Sequence, residues 1–221
     1  GFAELSASHR AAIETGKRVA VPGCHATGFI SLVYPLVHAG VLQADYPVRS
    51  FSLTGYSGGG KKMIAEYESE NRSEELNAPR EYALSQNHKH LKEMQAICGL
   101  AHQPLFSPIV ADYYSGMLVT VPLYAHLLHG AKTPEQVHEL FSQHYAGQQF
   151  VRVMPFGAEG SGMLSGNRRS GWDGLEICVS GNSERILLSA SFDNLGKGAS
   201  GAAAQCLNLM MGCPEETGLT L

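Results

Sequence analysis

No apolar run in the 221-residue sequence approaches the roughly 18–20 residues that cross a membrane. The start, Gly1–Arg10, is polar and acidic and lacks the apolar stretch of a signal peptide. Charge is also scarce, at 16% of residues with a formal net charge of −4. There is therefore no basic field for nucleic acid to bind. The five cysteines, Cys24, Cys98, Cys178, Cys206 and Cys213, are odd in number, irregularly spaced and never CxxC. That excludes a zinc ribbon and a disulfide framework, and fits single thiols in a reducing compartment. The expectation is a soluble cytoplasmic protein with no membrane or nucleic-acid partner. Hydrophobic residues reach 44%, which excludes disorder, and the length suffices for the core of one large domain or two small ones.

Glycine is plentiful at 25 residues and clusters at Gly55–Gly60, Gly157–Gly174 and Gly196–Gly201. Leu5–Thr15 reads as a helix and Arg18–Val21 as a short strand running into Pro22-Gly23-Cys24. A helix is expected from about Ala26 to Ala39, kinked or broken at Pro35. Val48–Thr54, Ser115–Leu123, Phe150–Met154, Leu175–Ser180 and Arg185–Phe192 read as strands, the last two as a hairpin. Helices are expected at Lys61–Glu70, His90–Cys98 and Gly198–Met211. A further helix is marked by the capping box Thr133-Pro134-Glu135-Gln136. Arg72–Glu81 reads as loop, and Phe156–Trp172 as a long glycine-rich loop. The pattern is α+β, with a mixed, mostly antiparallel sheet.

Four segments carry chemistry. Cys24 sits between a strand and a helix, where free N–H groups and the helix dipole lower a thiol pKa; a small buried turn cysteine has the same spelling. Tyr82 to His90 places His88 and His90 two apart, suited to acid–base work. As metal ligands they lack clear third and fourth partners, and capping or surface roles are equally open. Gly55-Tyr56-Ser57-Gly58-Gly59-Gly60-Lys61-Lys62 resembles a phosphate loop, but Lys62 replaces the hydroxyl that would hold magnesium. Its glycines and lysine still favour an anion. Asp193 to Gly201 opens a helix of small residues, suited to close packing or to a cofactor.

Together VPGCHATGFISLVYPLVHAGVL, SLTGYSGGGKKMI, APREYALSQNHKH, FSPIVADYYSGMLVTVPL and SFDNLGKGASGAAAQCLNLM resemble the short bacterial form of N-acetyl-gamma-glutamyl-phosphate reductase, in the family's order, from Val21 to about Gly212. The resemblance implies a glyceraldehyde-3-phosphate-dehydrogenase-like C-terminal domain. It also implies NADPH-dependent conversion of N-acetylglutamyl 5-phosphate to N-acetylglutamate 5-semialdehyde in arginine biosynthesis. Cys24 falls on the family's nucleophile and His88 on its acid–base histidine, with His90 and Tyr82 in support. Ser57, Gly58, Lys61 and Arg80 become candidates for the substrate's phosphate or carboxylate. Gly28, Asn194 and Gly196 become candidates for the cofactor. The family assembles as dimers or tetramers. No metal is implied.

Two departures stand out. His25 occupies a position where the family commonly has tyrosine. No G-x-G-x-x-G opens a βαβ unit, so most of the Rossmann domain is missing from this sequence. The expected organisation is a remnant of the cofactor domain over 1–23, a catalytic and dimerisation domain over 24–192, and a C-terminal helix over 193–221 packing back toward the cofactor domain. The fragment alone is expected to bind NADPH poorly and to be inactive. The alternatives are a phosphate-loop nucleotide-binding protein using Gly55–Lys62, and a non-catalytic interaction domain. Aspartate-semialdehyde dehydrogenase is a close relative in chemistry, which GYSGGGKK and NHKH disfavour.

Overall fold

One mixed sheet organises the chain in the computed structural model, which describes residues 1–158, 160 and 162–221. Its strands are β1 (Arg49–Gly55), β2 (Arg80–Glu81), β3 (Leu105–Ala111), β4 (Met117–Tyr124), β5 (Val151–Val153), β6 (Leu175–Gly181) and β7 (Arg185–Phe192). Their order is β2-β3-β1-β4-β7-β6-β5. β1 with β3 and β5 with β6 run parallel, and the other neighbours are antiparallel. The expected α+β, mostly antiparallel arrangement is therefore present. The helices are α1 (Ala7–Glu14), α2 (Cys24–His38), α3 (Gly60–Tyr67), α4 (Lys89–Cys98), α5 (Pro134–His144) and α6 (Gly201–Met210).

Helix α2 is the central packing element. Phe29, Ile30, Leu32, Val33 and Leu36 are fully buried, in one core with Val119 and Val121 of β4 and Ala190 and Phe192 of β7. Each such side chain contributes about 1.5–3 kcal/mol relative to exposure. The helix does not break at Pro35. Proline there removes the N–H that would reach the Ser31 carbonyl, and the Tyr145 hydroxyl donates to that carbonyl instead, at 2.8 Å.

The strands show which sheet face the helices cover. In β4, Met117, Val119, Val121 and Leu123 are buried, while Tyr124 is exposed. Strand β1 inverts the usual rule. Its buried side chains are those of Ser50, Ser52 and Thr54, followed by a buried Gly55, whereas Phe51 is exposed. Ser52 lies beneath the start of α2, with its hydroxyl 2.6 Å from His25 Nδ1.

Three local expectations need correction. Arg18–Val21 is not a strand, because it runs beside α6 rather than along a sheet edge, with Val19 and Val21 packed against Cys206 and Leu209. Leu105–Ala111, unread in the sequence, is β3; Pro108 takes one of its inward positions between Phe106 and Val110, but lacks a ladder N–H, which disguises the strand. Arg80–Glu81, read as loop, pairs with β3 through Arg80–Val110 and Glu81–Ile109. The helix expected from Gly198 instead begins as a π-helical turn over Gly196–Ser200 and turns into α6 at Gly201. In the loop expected over 156–172, Glu159 and Ser161 lie outside the described residues.

Candidate active site

Gly23 is extended (φ −67°, ψ 159°), and Cys24 is the first residue of α2. The Gly23 carbonyl accepts from the Thr27 N–H at 2.8 Å, which starts the helix. The Gly23 N–H donates to Glu93 Oε2 of α4 at 2.8 Å. A Cβ on Gly23 would lie 1.9 Å from His90 Nε2, so any larger residue there must push that ring aside. On the other side, a Cβ on Gly198 would lie 3.0 Å from the Cys24 Cβ. The cysteine is therefore clamped between α4 and the π-helical turn. It opens into a cavity of about 700 Å³.

His88 caps α4, its Nδ1 accepting from the His90 N–H at 3.3 Å. With Nδ1 accepting, the neutral ring carries its hydrogen on Nε2 and can donate from there. His25, the residue after the cysteine, is buried and forms two short hydrogen bonds. Its Nδ1 lies 2.6 Å from Ser52 Oγ and its Nε2 lies 2.6 Å from the Tyr82 hydroxyl. The His25 ring also packs at 5.9 Å from His88, 5.6 Å from His90 and 5.2 Å from Phe106, between centroids.

Burial sets the protonation of this cluster. Desolvation, reinforced by the neighbouring imidazoles, holds His25 well below the usual histidine range. The same causes, with Lys89 adding to them, bring His90 down to about 4. His88 is lowered by burial and by Lys89, and Glu93 opposes this. All three are neutral near pH 7. The Cys24 thiol goes the opposite way from the sequence expectation. Desolvation raises its pKa, and the backbone N–H groups of His25 and Cys24, with Lys89, offset this only in part. A helix N-terminus lowers a thiol pKa only when desolvation does not exceed it. The resting sulfur is thus protonated, and a neutral base nearby is needed to ionise it.

The opposite wall is the glycine loop and the end of β7. Asn194 Nδ2 donates to Ser57 Oγ at 2.9 Å, and Asn194 Oδ1 accepts from the Gly116 N–H at 2.8 Å. The N–H groups of Gly55, Tyr56 and Ser57 all donate to carbonyls of the 113–116 turn. The phosphate-loop reading needs such donors free, so its first half is closed. The spacing Gly196-x-Gly198-x-x-Gly201 spells a dinucleotide loop but is closed too. Asp193 Oδ1 takes the N–H groups of Leu195 and Gly196, the Asp193 carbonyl takes that of Gly198, and the Leu195 carbonyl takes that of Ser200. Among the described residues, no group of three or more His, Cys, Asp or Glu is placed to hold a metal, and no helix is long and apolar enough to cross a membrane.

The family model for the semialdehyde dehydrogenase dimerisation domain matches residues 24–194. N-acetyl-gamma-glutamyl-phosphate reductase of Brucella ovis is 44% identical over 218 residues, covering 96% of this chain and 70% of the relative. N-acetyl-gamma-glutamyl-phosphate reductase 2 of Nostoc sp. is 40% identical over 231 residues, covering 99% and 71%. The chain belongs to the N-acetyl-gamma-glutamyl-phosphate reductase family. Its fold is that of the semialdehyde dehydrogenases. Aspartate semialdehyde dehydrogenase II from Vibrio cholerae superposes with a TM-score of 0.69 at 17% identity, over 96% of this chain and 68% of that one. The enzyme from Francisella tularensis gives 0.69 at 14%, over 94% and 69%.

In this reductase-family chain the cavity brings together Cys24, Ser57, Gly58, Tyr82, His88, His90 and Asn194 from segments far apart in sequence. Four candidates fall outside its lining. Gly28 serves helix–sheet packing, since a Cβ there would meet Val119 at 2.5 Å and Phe192 at 2.8 Å. Gly196 packs against the Trp172 carbonyl and Asp173 in the same way. Lys61 is exposed on the first turn of α3. Arg80 donates to the Tyr67 hydroxyl at 3.2 Å and lies 5.5 Å from that ring's centroid. Sequence reading missed Ser52 and Glu93 and left His25 without a partner. A serine inside a strand and a glutamate inside a helix give no local signal.

It also missed Lys197. This buried lysine donates to Glu4 Oε1 and to Gln205 Oε1, each at 2.6 Å. The bond ties the first residues of the chain to the turn that carries Gly198.

Proposed function

We propose that this chain is the catalytic portion of an NADPH-dependent reductase that converts N-acetylglutamyl 5-phosphate to N-acetylglutamate 5-semialdehyde through a Cys24 thioester, acting in cytoplasmic arginine biosynthesis. One observation carries this reading. In a chain 40–44% identical to reductases of that name, a cysteine at a helix start, a capping histidine and a tyrosine face one cavity.

His88, neutral at rest with its hydrogen on Nε2, takes the Cys24 proton on Nδ1 as the S–C bond to the acyl carbon forms, and its bond to the His90 N–H is given up at that moment. The C–O bond to the phosphoryl group breaks, and phosphate leaves with the electron pair and takes a proton from solvent. Ser57 and Gly58 face the same cavity and are assigned to the substrate's anionic groups. A thioester lacks amide-like resonance, so its carbon stays electrophilic. NADPH, when bound, supplies the hydride that makes this carbon tetrahedral. The C–S bond then breaks, the aldehyde forms, and the sulfur recovers its proton from His88.

The wall of Asn194, Gly198, Ala199 and Ala203 beside Cys24 fits one end of such a cofactor. A Cβ on Gly198 would narrow that slot against the cysteine. The glycine loop that follows β1 spends the N–H groups of Gly55, Tyr56 and Ser57 on the 113–116 turn, so the rest of the dinucleotide is assigned to another domain. Residues 1–23 and 193–221, joined by Lys197, form the platform on which that domain sits. Alone, these 221 residues bind NADPH weakly and do not turn over; micromolar binding by calorimetry contradicts this.

The sheet face away from the helices exposes Phe51, Leu105, Tyr124 and Leu187 across four neighbouring strands. Such a face on a domain matching a dimerisation model supports a homo-oligomer, dimer or tetramer, formed through the sheet.

The experiment follows NADPH formation from N-acetylglutamate semialdehyde, phosphate and NADP by the full-length enzyme. Cys24→Ser is expected to lose about three orders of magnitude or more, because serine is not ionised near pH 7. His88→Ala is expected to lose about 10²–10⁴-fold in kcat. Full activity of Cys24→Ser removes the cysteine from the mechanism.

A further inference from the structure

We propose that His25 is a positioning residue: fixed by Ser52 with its hydrogen on Nε2, it donates to the Tyr82 oxygen and so makes the Tyr82 hydroxyl a hydrogen-bond donor into the Cys24 cavity. The positions of three hydrogens decide this. Ser52 is fully buried on β1, and among the described residues its hydroxyl has one partner, His25 Nδ1 at 2.6 Å. A buried hydroxyl hydrogen left without an acceptor costs about 1–3 kcal/mol. Ser52 therefore donates, and Nδ1 is the acceptor with a bare lone pair.

A neutral imidazole with a bare Nδ1 carries its hydrogen on Nε2. Burial and the nearby His88 and His90 keep this ring uncharged. Nε2–H then points at the Tyr82 oxygen, 2.6 Å away. The Tyr82 hydrogen has no acceptor among the described residues, and its ring lines the cavity with Cys24 and His88. Burial and the adjacent cysteine raise the phenol pKa, so it stays a donor. The reverse order would strand the Ser52 hydrogen and turn the Tyr82 hydrogen away from the cavity. The order Ser52 to His25 to Tyr82 aligns every donor in one direction, and such chains strengthen each link.

What Tyr82 meets there rests on the reductase reading. It is the carbonyl oxygen that gains negative charge when the cysteine or a hydride adds to the acyl carbon. A donor aimed at that oxygen before charge develops lowers the barrier. The hydrogen order itself stands without that reading.

Nitrogen-15 NMR of the imidazoles in this chain at pH 7.5 tests the order directly. The expected His25 signature is a protonated Nε2 and a bare Nδ1; a protonated Nδ1 or an imidazolium overturns the proposal. Kinetics of the full-length enzyme test the consequence. His25→Gln keeps an acceptor for Ser52 and a donor for Tyr82, and retains kcat within about threefold. His25→Phe keeps the bulk without the hydrogen bonds, and lowers kcat about 10–100-fold with KM within about twofold. In a Tyr82→Phe background the same His25→Phe change costs under about twofold, since its effect passes through the lost hydroxyl. A residue that only fills space gives the opposite ranking, with phenylalanine active and glutamine poor, and that ranking or additive losses overturn the proposal. Should Cys24→Ser remain active while the His25 tautomer is as expected, the reductase mechanism fails and the hydrogen order survives.

Discussion

Gly23→Ala probes how tightly the cysteine turn is built. The backbone at Gly23 is ordinary extended structure, so alanine meets no conformational strain there. The obstacle is the His90 ring, whose Nε2, Cδ2 and Cε1 would lie 1.9, 2.4 and 2.5 Å from the new Cβ. Ordinary contact begins near 3.4 Å, so ring and turn must part by about 1.5 Å. The ring has little room to move, because His90 is buried with His88 and His25 at 4.6 and 5.6 Å. Overpacking of this kind costs about 1–3 kcal/mol. For a chain of this length, 2 kcal/mol lowers Tm by roughly 4–8 °C. Displacing a reacting group by about 1 Å costs about 10²-fold in rate. Thermal unfolding and full-length reductase kinetics measure the two effects. Adding His90→Ala to Gly23→Ala is expected to recover part of the stability. If Gly23→Ala leaves Tm within a degree and activity within twofold, the contact between the turn and α4 is not as described.

Two further outcomes follow from buried charge. His90 is neutral when folded and titrates at about 4, whereas the unfolded chain protonates near the ordinary histidine value of about 6.5. The unfolded state therefore binds more protons between these values, and stability falls as pH drops through that window. From pH 7.5 to 5 this amounts to about 2 kcal/mol, with His25 and His88 acting in the same direction; urea midpoints that do not move contradict it. Lys197→Met leaves the Glu4 carboxylate buried without its cation and is expected to cost about 3–5 kcal/mol. Glu4→Met together with Lys197→Met is expected to cost far less in urea unfolding, and equal losses would refute a desolvated pair.

The legible parts of the sequence were those with local causes. Helix α5 announced itself through Thr133, Pro134 and Gln136, and the capping box is present. Strands β4, β6 and β7 carry apolar runs or alternation that match their burial. What escaped depends on partners distant in sequence. Strand β3 is defined by β1 and β2 rather than by its own spelling, which Pro108 disguises. Ser52 and Glu93 are ordinary polar residues until α2 lies across them. Gly28 and Gly196 matched a cofactor pattern, yet each is small because another element presses on it. The thiol shift of Cys24 reversed for the same reason, since a helix N-terminus is visible in sequence and desolvation is not.

The proposed reaction requires that the Cys24 sulfur carry the acyl group. Intact-mass spectrometry of the full-length enzyme mixed with N-acetylglutamyl phosphate, without reductant, reads this directly. The expected result is one acyl adduct that peptide mapping places on Cys24, is released by hydroxylamine and is missing from Cys24→Ser. An adduct on another residue, or one that persists in Cys24→Ser, contradicts the account.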